Sequence, residues 1–291
     1  MGMEVLSDIL TTLRAHGSVY FCDRRTAPWT MEFNQPEGAS FHLLRRGHCW
    51  LITDTLLEQL GPGDLLFVEA GLSHSLSSEH PDTPGLNTGP EALLMCGYCH
   101  FDMQISHPLM RSLSGVTIIR GEELLDMPAL RNILDLLSSE FTSSQPGNQV
   151  IVNRLTEILL VELIRINFGR TGRNDFIAAL ADKKLSLALK LLHENPQQAW
   201  TLEKLASAAA MSRASLANKF RQLVGQTMFE YLSGLRMQHA RDMLRNTDLA
   251  IPEIANRVGY ESDPAFTKAF KRLSGITPTA FRKGPKIPHP E

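Results

Sequence analysis

"LEKLASAAAMSRASLANKFRQLVGQT" (residues 202–227) is written nearly twice in this chain. Residues 251–277 read "IPEIANRVGYESDPAFTKAFKRLSGIT", with one residue inserted. Leu205 matches Ile254, Ala206 matches Ala255, Leu216 matches Phe266, Phe220 matches Phe270, Leu223 matches Leu273 and Gly225 matches Gly275. The pattern predicts a short helix, a tight turn and a second helix crossing the first. A small residue, Ala206 or Ala255, lets the two helices approach closely, and apolar side chains at i, i+4 and i+7 of the second helix face a common core. Gly225 and Gly275 follow the second helices, where positive φ ends a helix readily. Thr201, Ser212 and Ser262 are expected N-caps, and Pro264 suits a first helical turn. Between the units, "MFEYLSGLRMQHARDMLRN" reads as one long helix that holds them rigidly apart. These are two helix-turn-helix units.

The second helix of each unit exposes the side chains that DNA reading needs. The first presents Arg213, Ser215, Asn218 and Arg221, and the second Thr267, Lys268, Lys271 and Arg272. Donors near the start of such a helix suit base edges, and cations further along suit phosphates. Ala214 and Ala217 leave the first helix to rely on Arg213 and Asn218. Charge points the same way. From Lys183 onward there are 17 Lys and Arg against 9 Asp and Glu, whereas the first 182 residues hold 12 against 22. A basic module that meets a polyanion is joined to one that does not.

"MSRASLANKFRQLVGQTMFEYLSGLRMQHARDML" and "IANRVGYESDPAFTKAFKRLSGITPTAFR" resemble the AraC/XylS family of bacterial transcription regulators over roughly residues 183–283. The resemblance implies seven helices, with both recognition helices in successive major grooves on one face of the DNA. Carried onto this chain, it makes Arg213, Asn218, Thr267 and Lys268 base-contacting and Arg221, Lys271 and Arg272 phosphate-contacting. Asp263 stands where the family often has a polar donor, and an acid there fits neither role simply. The expected partners are double-stranded promoter DNA, RNA polymerase and a second copy of the chain, with activation the expected role; the sequence leaves activation against repression and the oligomeric state open.

The acidic half reads differently. "SVYF", "SFHLL", "CWLIT", "DLLFV" and "ALLMCGY" are short apolar stretches between the turn clusters "NQPEG", "GPGD", "AGLS" and "HPDTPGLNTGP", the pattern of a β-sandwich or barrel. From about residue 122, "EELLDMPALRNILDLLSSEF" and "QVIVNRLTEILLVELIRINF" carry helical spacing and predict an antiparallel pair. In the second, Ile151, Leu155, Ile158, Leu159 and Leu163 form the apolar stripe, broken by Glu162. The pair either packs on the β-domain or serves dimerisation. "GDLLFVEAGLSHSL" (63–76) resembles the second motif of cupin barrels, with Glu69 in place of the usual Pro and Ser78 where Asn is common. Over about residues 5–120 the order of elements is similar to the cupin-type sensor domain of one branch of AraC-like regulators.

The expected architecture therefore has two domains. Residues 1–168 form a cupin-like β-barrel with following helices, for sensing and dimerisation. Residues 169–182 form a linker around "GRTGRND", and 183–291 an all-α domain with two helix-turn-helix units. Four residues on or beside predicted strands, Cys22, His42, His74 and Cys96, form a candidate sensor site. Two thiolates and two imidazoles suit tetrahedral zinc. Without metal, Cys22 and Cys96 suit an oxidation-sensitive pair; a small-molecule effector inside the barrel is the other reading. "MCGYCH" (95–100) offers C-x-x-C-H, yet residues three apart on a strand point to opposite faces, so Cys96 and Cys99 are not expected to act together. "RRGHC" reads as a turn, which sets His48 and Cys49 aside.

No apolar run approaches the ~18 residues that cross a membrane. "MGMEVLSDILTTLRAHG" is amphipathic and acidic, unlike a secretory signal. The expectation is a cytoplasmic protein without membrane association, its four cysteines reduced or metal-bound. A metal-dependent cupin enzyme fused to a DNA-binding domain is the alternative function. His-x-His, which catalytic cupins present in their first motif, occurs nowhere in the chain; the expectation is a regulator and no enzyme.

Overall fold

The computed structural model describes residues 2–13, 16–36, 38–83, 91–100, 107–109, 115–169 and 176–284. They fall into two compact units. One holds the described parts of Ala15–Phe101 and Leu113–Gly169, the other those of Met1–Arg14, Asp102–Ser112 and Arg170–Glu291.

The first unit is built on two antiparallel sheets. The larger takes β1 (His16–Arg25), β3 (Ala39–Arg46), β6 (Leu65–Val68), β8 (Ala92–His100) and β9 (Val116–Ile119) in the order β1-β8-β3-β6-β9. The smaller takes β2 (Thr30–Phe33), β4 (Cys49–Ile52), β5 (Leu57–Leu60) and β7 (His74–Ser77) in the order β2-β7-β4-β5. One core cluster draws on both sheets: Leu44, Leu66, Leu94 and Cys96 from the larger, Cys49, Leu51, Leu60 and Leu76 from the smaller. Strands β2, β5 and β9 escape the sequence reading. Each buries at most one of its four residues, so it carries little apolar signal, and exists because a partner strand pairs with it.

Helices α2 (Pro128–Thr142) and α3 (Asn148–Gly169) form the expected pair. α3 lies against β1 closely enough that a Cβ on Gly17 would stand 2.2 Å from Thr156 Cγ2. This is why glycine sits there. The buried face of α3 is Val152, Leu155, Thr156, Leu159, Leu160, Leu163 and Ile164. The predicted stripe needs correction: Ile151 and Ile158 point outward, as does Val150. The helix is apolar over so wide an arc that spacing alone does not choose its buried side.

The second unit carries the repeat. Its helices are α4 (Phe176–Ala181), α5 (Lys183–Glu194), α6 (Leu202–Ala208), α7 (Arg213–Lys219, continued by a π-turn at Phe220–Val224), α8 (Met228–Asn246), α9 (Ile251–Arg257), α10 (Asp263–Ser274) and α11 (Pro278–Lys283). Seven of these fall between residues 183 and 283, as the resemblance implies. Residues 176–181, assigned to the linker from sequence, instead form α4 with Phe176, Ile177, Ala179 and Leu180 buried; residues 170–175 lie outside the described residues. The apolar character of "FIAALA" needed a surface to bury against, and that surface is tertiary. α1 (Gly2–Leu13), expected in the barrel domain, packs Val5, Leu6 and Ile9 within this second unit, against α5 and α4.

Both helix-turn-helix units are built alike. Ala206 and Ala255 are buried at the crossings, and their carbonyls accept from Met211 N and Tyr260 N at 2.8 and 2.9 Å. The residue that turns the chain has positive φ in each: Ala210 at 50° and Gly259 at 85°. Leu216, Phe220, Phe266 and Phe270 are fully buried. Gly225 and Gly275 end the second helices at φ 75° and 76°. Thr201 and Ser212 cap as expected, accepting from Lys204 N and Ser215 N. Ser262 holds the N-cap position but its side chain caps nothing. Pro264 removes one of the N–H groups that such a hydroxyl would accept from.

Candidate functional site

Six cations of the basic half are tied into the fold among the described residues. Lys184 and Lys204 bond the carbonyls of Ala210 and Ala199, and Arg236 those of Pro196 and Gln198. Arg241 is buried against Ser274, Arg282 holds the Leu249 carbonyl, and Lys219 pairs with Asp182, the N-cap of α5. These bonds tie turns to helices. The DNA-contact candidates from sequence are placed differently. Asn218 and Arg221 in the first unit occupy the positions of Lys268 and Lys271 in the second, and all four are exposed. Arg272 is exposed beside them; Ser215 and Thr267 are half-buried. Arg213 is exposed at the first residue of α7 and pairs with Glu203 of α6 at 3.0 Å. A pair between two exposed side chains is worth little, so Arg213 can leave Glu203 for a base at small cost. Arg221 and Arg272 both lie near Glu230. Its carboxyl is held below the usual range by the Thr227 capping bonds first and these two cations last.

Inside the first unit, β3 and β7 bring His42 and His74 together, with Nε2 to Nε2 at 2.9 Å. His74 Nδ1 donates to the Leu72 carbonyl at 3.0 Å. A neutral His74 therefore offers a bare Nε2, and His42 must donate its Nε2 proton to it. That leaves His42 Nδ1 as an acceptor, buried and with no partner among the described residues. Burial, and then the neighbouring His74, hold the His42 imidazole well below the usual histidine range; burial also lowers His74, against the Leu72 bond. Both rings are neutral near pH 7. Phe33 of β2 covers them, with ring centroids 4.6 Å from His42 and 4.7 Å from His74.

Cys96 is the register partner of His42 across β3 and β8 and belongs to the same interior. Cys22 does not. It pairs with Met95, one residue off, so its side chain takes the other face of the sheet. There it lines an outer cleft of about 480 Å³ with Arg45, Asp135 and Ser138. The four-residue set thus separates into an interior trio and one outer thiol. Among the described residues no group of three or more His, Cys, Asp or Glu side chains is placed to hold a metal ion. The zinc arrangement expected from sequence does not fit. A β-bulge between Val19 and Phe21 helps set the register, which local spacing does not reveal.

Cys49, set aside as a turn residue, opens β4 instead and is buried in the core cluster with Cys96. The signal was available: "CWLI" after the turn alternates as a strand does. Burial pushes the Cys49 thiol up to about 12, with Asp64 adding to it. Cys96 is raised further by burial, then by Cys49 and Cys22. Cys99 faces away from Cys96 and is pushed to about 12 by burial and then Glu157 of α3. Cys22 is raised too, by burial against the pull of Arg45. A thiol with a raised pKa is a poor nucleophile at neutral pH.

A cupin family model matches residues 4–169 and a helix-turn-helix domain model residues 205–284. A Streptomyces lividans protein named as an AraC-like transcription regulator is 29% identical over 309 residues, covering 98% of this chain and 100% of the relative. The HTH-type transcriptional regulator AlkR of Acinetobacter baylyi is 27% identical over 304 residues, covering 97% and 99%. Among solved structures, a transcriptional regulator of the AraC-type DNA-binding class from Chromobacterium violaceum aligns at 28% identity and TM-score 0.34, over 36% of this chain and 96% of that one.

Proposed function

The chain belongs to the AraC-type transcription regulators that carry an N-terminal cupin domain, and from that premise we propose that its barrel senses a small polar molecule and thereby controls how the two helix-turn-helix units hold promoter DNA. It is a DNA-binding regulator and not an enzyme: the relatives are named as regulators, and the alternative of a metal-dependent cupin enzyme is set aside.

One observation carries the DNA reading: equivalent positions of the two units expose polar or cationic side chains, Asn218 with Lys268 and Arg221 with Lys271. In this reading Arg213, Asn218 and Lys268 read base edges. Ser215 and Thr267 assist from half-buried positions, and Arg221, Lys271 and Arg272 hold phosphates. The test is selection of a duplex from a randomised pool. Arg213→Ala and Lys268→Ala should each weaken the selected duplex by about 1–3 kcal/mol. If the wild-type chain enriches no duplex at low salt, the reading fails.

For the signal, support comes from the unpaired His42 Nδ1 next to His74. It calls for a ligand that brings a hydrogen-bond donor. Thiol oxidation is less favoured, because the buried thiols have raised pKa values and Cys22 lies on the other face from Cys96. Native mass spectrometry with metal analysis of the purified chain separates ligand, zinc and oxidised thiol. Dimerisation through the outer face of α3, activation and contact with RNA polymerase complete the reading. Its place of action is the cytoplasm, with the chromosome. The exposed Val150, Ile151 and Ile158 support the dimer.

A further inference from the structure

Four polar side chains of the second unit form one hydrogen-bonded relay. His193 of α5 contacts Asp8 of α1 through Nδ1 and the Tyr231 hydroxyl of α8 through Nε2, the latter at 2.7 Å. Tyr231 Oη in turn lies 3.5 Å from His107 Nε2. The proton positions follow from the partners. Leu109 N–H donates to His107 Nδ1 at 3.1 Å, so His107 carries its proton on Nε2 and offers it to Tyr231. The carboxylate of Asp8 only accepts, so His193 carries a proton on Nδ1, and in the neutral ring Nε2 accepts from Tyr231. Every bond then runs in one direction, from Leu109 to Asp8. Tyr231, His193 and His107 are buried, and Asp8 at the end of the relay is half-buried. The bond to His193 is also the first cause holding the Asp8 carboxyl below its usual range. Bonds aligned in a chain within low dielectric strengthen one another.

Tyr231 is well placed to matter for DNA. It sits near the start of α8, whose later residues Met237, Ala240 and Leu244 pack into the core of the second helix-turn-helix unit. Its ring also meets Phe220, where α7 passes into its π-turn, with centroids 6.0 Å apart. α8 thus sets the spacing of α7 and α10, and two-groove binding demands a fixed spacing. Packing alone does not clamp this stretch. A cavity of about 600 Å³ lies beside it, lined by His107, Tyr231, Gln238, Arg272 and Leu273. The relay's two ends are short of the barrel strands in sequence: Asp8 precedes β1, which begins at His16, and His107 follows β8, which ends at His100.

We propose that Tyr231 is a positioning residue for two-groove DNA recognition, held by Asp8 and His107 through this relay, and that loosening the relay is how the amino-terminal half lowers DNA affinity. The inference rests on the DNA-binding reading above, and the test separates the two. The full chain and its Asp8→Asn, His193→Gln and Tyr231→Phe variants are measured on two duplexes. One is a duplex enriched by the wild-type chain from a randomised pool, and the other is the same duplex with one base pair inserted between the half-sites. The wild type should lose at least tenfold on the insertion. The variants should bind the original duplex several-fold more weakly and discriminate against the insertion less than threefold, with their fold verified by circular dichroism. A merely destabilised domain would weaken both duplexes alike and keep the wild-type ratio. An unchanged ratio in the folded variants overturns the proposal; a wild type that enriches no duplex overturns the DNA reading and this inference with it.

Discussion

His42 is 1% exposed, and its Nδ1 meets no partner among the described residues. Its folded pKa lies below the unfolded value, as does that of His74. Above pH 6.5 neither state is protonated at these rings and the native state bears no penalty. As pH falls below 6.5, the unfolded chain takes up protons that the folded rings refuse, so stability is lost. For His42 alone the loss is about 1.4 kcal/mol per pH unit until its folded pKa is reached. Urea midpoints at successive pH values should therefore fall between pH 7.5 and 5.5, and His42→Gln should flatten that slope. The thiols make a second residue-scale prediction. Native labelling with a maleimide should modify Cys22 first, with Cys49, Cys96 and Cys99 reacting only after unfolding. Labelling of Cys96 at the rate of Cys22, read by peptide mass spectrometry, would contradict the interior placement. From sequence these residues were legible as candidates. Their division between two faces was not, because a single bulge decides the register.

The two helix-turn-helix turns differ in one element-scale detail. Ala210 adopts a left-handed φ of 50° where the second unit has Gly259. A side chain in that region is strained, so Ala210→Gly should raise stability by up to about 1 kcal/mol after the added freedom of the unfolded chain is counted. The reverse change should be costly. A Cβ on Gly259 would lie 2.5 Å from the Gln197 carbonyl oxygen, so Gly259→Ala should lower the melting temperature clearly. The repeat itself was legible because both units obey the same spacing for the same packing reason. The outer face of α3 was not, since its apolar arc is wider than one buried stripe. If Ile151 and Ile158 join two copies, Ile158→Glu should yield a monomer in sedimentation and leave the circular dichroism spectrum intact.

At the scale of the molecule, six of the 17 Lys and Arg of the second half hold turns and helix ends. The exposed cations proposed for phosphates are Arg221, Lys271 and Arg272. Affinity for DNA should fall with salt, with log K falling by about 0.9 per phosphate contact for each unit of log salt. Lys271→Ala should reduce that slope by about one without changing which duplex is selected, whereas Arg213→Ala should relax sequence preference. Equal effects of the two substitutions on selectivity would refute the division of roles. The candidate partition at residues 169–182 shows the limit of composition as a guide. "GRTGRND" marks a polar stretch, but the residues directly after it bury themselves as α4, and α1 takes a place among the DNA-binding helices.

What the sequence by itself determined is what local chemistry encodes: the doubled helix-turn-helix, its turns and its caps at Thr201 and Ser212, the charge division, and the cupin-like strands with their His42 and His74. Periodicity and turn residues act over a few positions and are visible without a structure. What the tertiary structure decided is which distant groups meet. It aimed His42 at His74 and Cys22 away from Cys96, and it threaded Asp8, His193, Tyr231 and His107, far apart along the chain, into one relay. Each of those side chains has an ordinary local context. Their meaning comes from burial, which removes water as a partner and leaves each polar group dependent on whatever the fold brings beside it.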